Sequence, residues 1–279
     1  MKTRMTCKSR LWVFFAGSLV LLLAITPVSV PAETVLITGA NSGIGLEFTR
    51  QYAAKGWTVI ATHRRAGAPE SLTAVSAEFK NVIIERMDVT SAEDVQALAG
   101  KLKQTQIDIL INNAGVYNDR SACQEEDCPG DWRSQDFGKL DYRLLDTIMA
   151  VNVKGPLLVS EAFVENVAAS TRKIIVSISS TNGSLTEPIP GSGGIFYRAS
   201  KAALNRSMQL VAVSLADRGI TVVMLHPGAV LTERQAYLSG YEGMVEMPFS
   251  VKQMIETINK LTFKDSGRFI NYDGETLPW

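Results

Sequence analysis

Glu33-Thr34-Val35-Leu36-Ile37-Thr38-Gly39-Ala40-Asn41-Ser42-Gly43-Ile44-Gly45 is where the chain declares its architecture. The first half is a short apolar run rich in β-branched residues, the pattern of a strand covered on both faces. It stops at Gly39. Beyond it Ile44, Phe48 and Tyr52 recur at helical spacing, and Gly56 stands where a helix ends. A strand that feeds a helix through Gly39, Gly43 and Gly45 suits a dinucleotide. Glycines permit the tight turn and the close approach of backbone amides to a pyrophosphate, and the helix start offers unpaired N–H groups and a partial positive charge. Asn41, Ser42 and Ile44 complete this loop, whose spacing is G-x-x-x-G-x-G rather than the commoner G-x-G-x-x-G.

Similar apolar runs recur at residues 58–62, 82–87, 107–111, 173–178 and 220–225. Helical patterns lie between them. Thr90 and Glu93 are expected to form a capping box before Val95, Leu98 and Leu102. Leu140, Leu144, Ile148 and Met149 make a second apolar stripe, and Leu204, Met208 and Val211 a third. Alternating strands and helices predict one Rossmann-type, doubly wound α/β domain over residues 33–279.

Composition sets the outer limits. With 279 residues, 46% hydrophobic and 20% charged, the chain is neither disordered nor collagen-like nor a disulfide miniprotein. Lys2, Arg4, Lys8 and Arg10 precede any acid, and in the remainder acids outnumber bases, so no nucleic-acid partner is expected. Residues 1–32 have a basic start, an apolar middle and small residues ending at Val30-Pro31-Ala32, the three parts of a signal peptide. Residues 11–32 are also long enough for an uncleaved signal anchor, the chain's one expected membrane contact, which would put the domain outside. A buried core helix is the blander reading, against which the flanks lack caps. Cys7 falls in this segment. Cys123 and Cys128 are either a local disulfide of an exported domain or two unrelated loop thiols. With only His63 and His226, a zinc site is hard to assemble. Export sits awkwardly with the usual lack of free NADPH outside the cytoplasm, so a cytoplasm-facing domain is the alternative.

The second strand runs into His63-Arg64-Arg65, and no acid occurs between Glu47 and Glu70. NAD-selective sites usually place a carboxylate about 20 residues past the glycines. A guanidinium there, Arg64 above all, suits the 2′-phosphate of NADP(H), expected in preference to NAD(H); a solvated basic loop is the alternative. Further on, Tyr197-Arg198-Ala199-Ser200-Lys201 opens a helical pattern in which Tyr197 and Lys201, four apart, share a face. A phenol near pKa 10 is a poor base at neutral pH, and a neighbouring ammonium is expected to lower it. Ser177, Ser179 and Ser180 lie at the end of a strand, where open α/β sheets bind ligands.

Taken in order, these motifs resemble the short-chain dehydrogenase/reductase superfamily from residue 34 to the end. The residues that carry the likeness are the glycine loop, Asp88-Val89, Asn112-Asn113-Ala114-Gly115, Asn152, Ser179-Ser180-Thr181-Asn182-Gly183, Tyr197 with Lys201, and His226-Pro227-Gly228. The segments Phe137-Gly138-Lys139-Leu140-Asp141-Tyr142 and Asp273-Gly274 to Pro278-Trp279 resemble the branch of C-factor and the Sniffer-type carbonyl reductases. The resemblance implies a seven-stranded parallel sheet of order 3-2-1-4-5-6-7. It also implies interconversion of a small-molecule carbonyl with a secondary or primary alcohol by hydride transfer, without a metal. On that pattern Tyr197 is the acid/base, Lys201 tunes it and holds the cofactor ribose, Ser180 orients the substrate oxygen, and Asn152 supports a proton-relay water through its helix backbone. Asp88 and Val89 flank the adenine, and Asn113, Ala114 and Gly115 line the adenosine side. Pro227, Gly228, Val230 and Thr232 bracket the nicotinamide.

The interval from Ser180 to Tyr197 exceeds the family's usual one; Ser179 is an alternative, and Ser184 would restore the count. The long stretch between Asn113 and Asn152 either shapes substrate entry or binds a partner. Met244, Met247 and Phe249 are either an apolar lid or ordinary helix packing. A homodimer is the family expectation, and a C-factor-like signalling or scaffold role is the rival to turnover.

Overall fold

The computed structural model describes residues 1, 32–118, 132–188, 191, 193–231 and 243–279. The chain divides into Met1–Pro31 and Ala32–Trp279, and the second unit is the one described below. The signal or anchor at residues 1–32, except for its two end residues, together with Cys7, Cys123, Cys128 and Thr232, lies outside the described residues.

Strands β1 (Thr34–Ile37), β2 (Thr58–His63), β3 (Val82–Arg86), β4 (Ile109–Asn112), β5 (Ile174–Ile178) and β6 (Thr221–His226) form where the six apolar runs are. Their continuous apolarity has a direct cause: both faces of the sheet are covered. Val35 and Ile37 point into a core shared with Phe48, Tyr52 and Met254. Leu36, between them, points into a second core with Phe163 and Met208. Burying each such side chain contributes about 1.5–3 kcal/mol. Helices α1 (Gly43–Ala54), α2 (Glu70–Glu78) and α7 (Met247–Lys260) supply the first core, and α3 (Ala92–Lys101), α5 (Gly155–Ala168) and α6 (Ile195–Ser214) the second.

The sheet is parallel throughout in the order β3-β2-β1-β4-β5-β6-β9, with β9 (Phe269–Asn271) as the seventh strand. A separate ribbon pairs β7 (Ala229–Leu231) with β8 (Met244–Glu246). Helix α4 (Tyr142–Met149) runs into α5 through one π-turn, Ala150–Lys154.

The helix patterns hold, with two corrections, the first being that Leu140 precedes α4, which Asp141 caps. The cap of α3 is Ser91, whose hydroxyl accepts from the Asp94 N–H at 3.1 Å, not Thr90 with Glu93. The N–H and hydroxyl of Thr90 are already taken by Asp88 Oδ1, at 2.9 and 2.8 Å, so the helix starts one residue later. Gly56 ends α1 as expected, with φ +82°.

Candidate active site

The C-terminal ends of the central strands open on a cleft of about 1320 Å³. Its two ends are built differently.

At one end α1 starts after Ser42, which is extended, and its first turn carries no acid. Gly39, Asn41, Ser42, Gly43 and Ile44 line the cleft. Gly43 has φ +54°, and the place its Cβ would occupy is open. Gly45 faces inward, where a Cβ would lie 2.4 Å from both Asn113 Nδ2 and the Gly39 carbonyl. The loop therefore lies flat on the end of β4 and is stapled there. Asn113 Nδ2 donates to the Thr38 and Gly39 carbonyls at 2.9 and 3.1 Å, while Thr38 Oγ1 accepts from the Asn113 and Ala114 N–H groups at 2.9 and 3.0 Å. A helix start with open room before it and no competing acid fits a dinucleotide pyrophosphate.

Ala114 and Gly115 continue this wall, and Asp88 and buried Val89, which follow β3, also line the cleft. Arg64 reaches the cleft from the end of β2, exposed and without a hydrogen bond or ion pair among the described residues.

At the other end stand the residues of the Ser-Tyr-Lys set. Tyr197, in the first turn of α6, is hydrogen-bonded through its side chain to Ser180. Lys201, one turn on and buried, places Nζ 5.7 Å from the Tyr197 ring centroid and donates to the Ile178 carbonyl at 2.9 Å. The four serine candidates differ in what they touch, and Ser177 is buried, accepting from Asn112 Nδ2 at 3.5 Å. Ser179 donates to Asn205 Oδ1 in the core, and Ser184 accepts from the Thr186 and Glu187 N–H groups; Ser180 is the one that meets the phenol.

The expected lowering of the phenol is not what the chain itself produces. Burial pushes Tyr197 up to about 12; the Ser180 hydrogen bond pulls it down and neighbouring Tyr117 pushes it further up. The ammonium does not lower it, because burial brings the pKa of Lys201 down to about 8 and the lysine is neutral before the phenol ionises.

Asn152 lies in the π-turn, a local unwinding frequent at functional sites. Its side chain is a brace. Oδ1 accepts from the Val116 N–H at 2.9 Å, and Nδ2 donates to the Val116 carbonyl at 2.8 Å and to Ser200 Oγ at 3.0 Å. Ser200 in turn donates to the Tyr197 carbonyl at 2.7 Å.

Pro227, Gly228 and buried Val230 form the remaining wall. Met244 and Met247 also line the cleft, whereas Phe249 packs edge-on against Tyr272 at 6.5 Å, so the suggested lid group is split.

Two polar residues at the site were given no role by the sequence. His226 lines the cleft, and burial and the Lys201 charge push its pKa down to about 4 against the pull of Asp273. Gln135 is wholly buried and holds the Tyr197 N–H. A lone glutamine in a long insertion carries no spacing by which to find it.

A doubly wound parallel sheet with a nucleotide cradle at one end of its cleft and a tyrosine, lysine and serine at the other defines a nucleotide-dependent oxidoreductase. The short-chain dehydrogenase family profile matches residues 33–242, and the chain belongs to that family. It is 32% identical over 250 residues to the 1-hydroxy-2-glutathionyl-2-methyl-3-butene dehydrogenase of Rhodococcus sp. (strain AD45), covering 88% of this chain and 100% of that protein. It is 32% identical over 185 residues to the C-signal of Myxococcus xanthus, covering 66% of this chain and all of that protein. Among solved structures, the NADPH-bound carbonyl reductase from chicken fatty liver superposes with a TM-score of 0.78 at 29% identity, over 90% of this chain and 100% of that one. The protein is thus an oxidoreductase of the CH–OH/C=O class.

Proposed function

We propose that the protein is an NADP(H)-dependent carbonyl reductase, running also as an alcohol dehydrogenase, with Tyr197 as its acid/base. The observation that carries this reading is the Tyr197 side chain hydrogen-bonded to Ser180 with Lys201 beside its ring. The glycine loop would hold the pyrophosphate, Arg64 the 2′-phosphate, and Lys201 the ribose near the nicotinamide. Arg64, without a partner among the described residues, and the lack of any acid between Glu47 and Glu70 support NADP(H) over NAD(H). The chicken reductase, which binds NADPH, supports the same choice. When bound, the nicotinamide supplies the hydride for reduction and accepts it in oxidation.

The chain's own residues manage the proton. With its pKa pushed up to about 12, Tyr197 is a protonated phenol at neutral pH, able to donate to a carbonyl oxygen that becomes an alkoxide. Ser180 shares a hydrogen bond with the phenol and would hold that same oxygen beside it. Lys201, brought down to about 8, exchanges protons close to neutral pH at a point adjoining the phenol.

The substitution Tyr197→Phe tests the reading. Turnover of carbonyl substrates should fall by about 10²–10⁴-fold, the usual worth of a positioned acid, while NADPH still binds. Turnover within tenfold of the parent would overturn it, and would favour a C-factor-like signalling role. For the N-terminal segment we propose export or anchoring, on its basic start and apolar middle. A C-terminal reporter found in the soluble cytoplasmic fraction would refute this.

A further inference from the structure

We infer that Gln135 is a positioning residue for the catalytic phenol, through which the long insertion between Asn113 and Asn152 sets the geometry of Tyr197. This rests on the reading of Tyr197 as acid/base. Gln135 closes the short 3₁₀ turn Trp132–Gln135 and is 0% exposed. Both ends of its amide are used. Oε1 accepts from the Tyr197 N–H at 2.9 Å, and Nε2 donates to the Tyr117 carbonyl.

The need for that acceptor comes from how α6 begins. Its N-cap is Gly194, in the left-handed region at φ +74°, with no side chain to cap the helix. The first N–H groups of a helix have no partner within it, and that of Tyr197 is one of them. Gln135 supplies the missing acceptor from 62 positions away. The Tyr197 carbonyl is fixed from the other side by Ser200, which Asn152 holds. Both peptide groups of the catalytic residue are therefore pinned by side chains from outside its own helical turn or braced by one.

The second half of the amide reaches the phenol by another route. Tyr117 packs its ring edge-on to that of Tyr197 at a centroid distance of 6.1 Å, and its proximity raises the Tyr197 pKa. One buried glutamine thus fixes the main chain of both tyrosines. Gln135 itself is absent from the walls of the cleft, so it acts on the reaction only through them. Displacement of a reacting group by about 1 Å can cost a hundredfold in rate.

The test uses two variants of the full chain. Gln135→Met keeps the shape and loses both hydrogen bonds. Gln135→Glu keeps the acceptor for the Tyr197 N–H; its carboxyl, raised by burial, still donates to the Tyr117 carbonyl while protonated and, once ionised at alkaline pH, loses that donor and adds a negative charge beside the main chain of both tyrosines. For Gln135→Met, kcat per folded enzyme should fall about ten- to a hundredfold while the Kd for NADPH, read by fluorescence titration, stays within twofold. Gln135→Glu should recover part of that kcat. It should also move the rising limb of the kcat–pH profile for alcohol oxidation to higher pH, because a like charge disfavours the phenolate. The inference is overturned if Gln135→Met keeps kcat within twofold, or if the Gln135→Glu profile coincides with that of the parent. Should Gln135→Met not fold, the Gln135→Glu profile decides alone. Failure here would leave Tyr197→Phe inactive, whereas failure of the acid/base reading would leave Tyr197→Phe active.

Discussion

Arg64 stands at the end of β2 with the cleft before it and no partner for its guanidinium among the described residues. Arg64→Ala should lower kcat/KM with NADPH by about ten- to a hundredfold, since a charge-assisted contact is worth roughly 1.5–3 kcal/mol. The value with NADH should stay within about twofold, and equal losses with both cofactors would remove Arg64 from the 2′-phosphate site. At this scale the sequence was informative where spacing carries the chemistry, as for Tyr197 and Lys201 one turn apart. Family likeness favoured Ser180 and left Ser179 and Ser184 as alternatives, because the local sequence does not say which hydroxyl faces the phenol. Ser179 is tied to Asn205, a contact with no trace in the local pattern, whereas Ser180 and Ser184 each accept from an N–H of their own turn and differ in that Ser180 meets the phenol. Gln135 was invisible for the same reason: its partners lie far along the chain.

Elements were legible in proportion to what they bury. Six strands announced themselves because both faces are covered, whereas β9 is only Phe269–Asn271 and was implied by family likeness alone. The cap of α3 shifted by a residue because Asp88 claims Thr90, a competition between neighbours that a capping pattern does not weigh. The segment after β9 turns back along it, the Asn271 N–H donating to the Glu275 carbonyl and the Leu277 N–H to the Phe269 carbonyl, both at 2.8 Å. It finishes with Trp279 stacked on Phe269 at 5.8 Å and its carbonyl accepting from Thr186 Oγ1 at 2.7 Å. Thr186 belongs to the loop that follows Ser180, so this returning strap is tied to the Ser180 side of the cleft. Trp279→Ala should raise KM for the carbonyl several-fold, leave the NADPH Kd unchanged and destabilise the fold by about 1 kcal/mol. A weakened NADPH affinity with unchanged KM would contradict that assignment.

For the molecule as a whole, the two histidines contribute to acid sensitivity alongside the lowered carboxylates Asp94, Asp141, Glu165 and Asp265. Burial, together with the charges of Arg65 and Arg86, lowers His63, and burial with the Lys201 charge takes His226 to about 4. Between that value and the ordinary 6.5 the unfolded chain binds the proton that the folded one refuses, so stability falls as pH drops through this window. The His226 share is about 3 kcal/mol once pH is below 4. Lys201 acts at the alkaline end: its buried ammonium costs stability below pH 8, and the cost is relieved between 8 and 10.5. Urea unfolding at pH 7 and pH 4.5 should show His226→Asn losing less stability than the parent, and equal losses would exclude His226 as the cause. The parallel sheet and the cofactor end of the cleft share a further dependence. The side chains of Thr38 and Asn113 that close the seam between β1 and β4 also shape the glycine loop. Holding a nucleotide and holding the sheet together are consequently one equilibrium, in which the ligand works as a rivet through the middle of the fold.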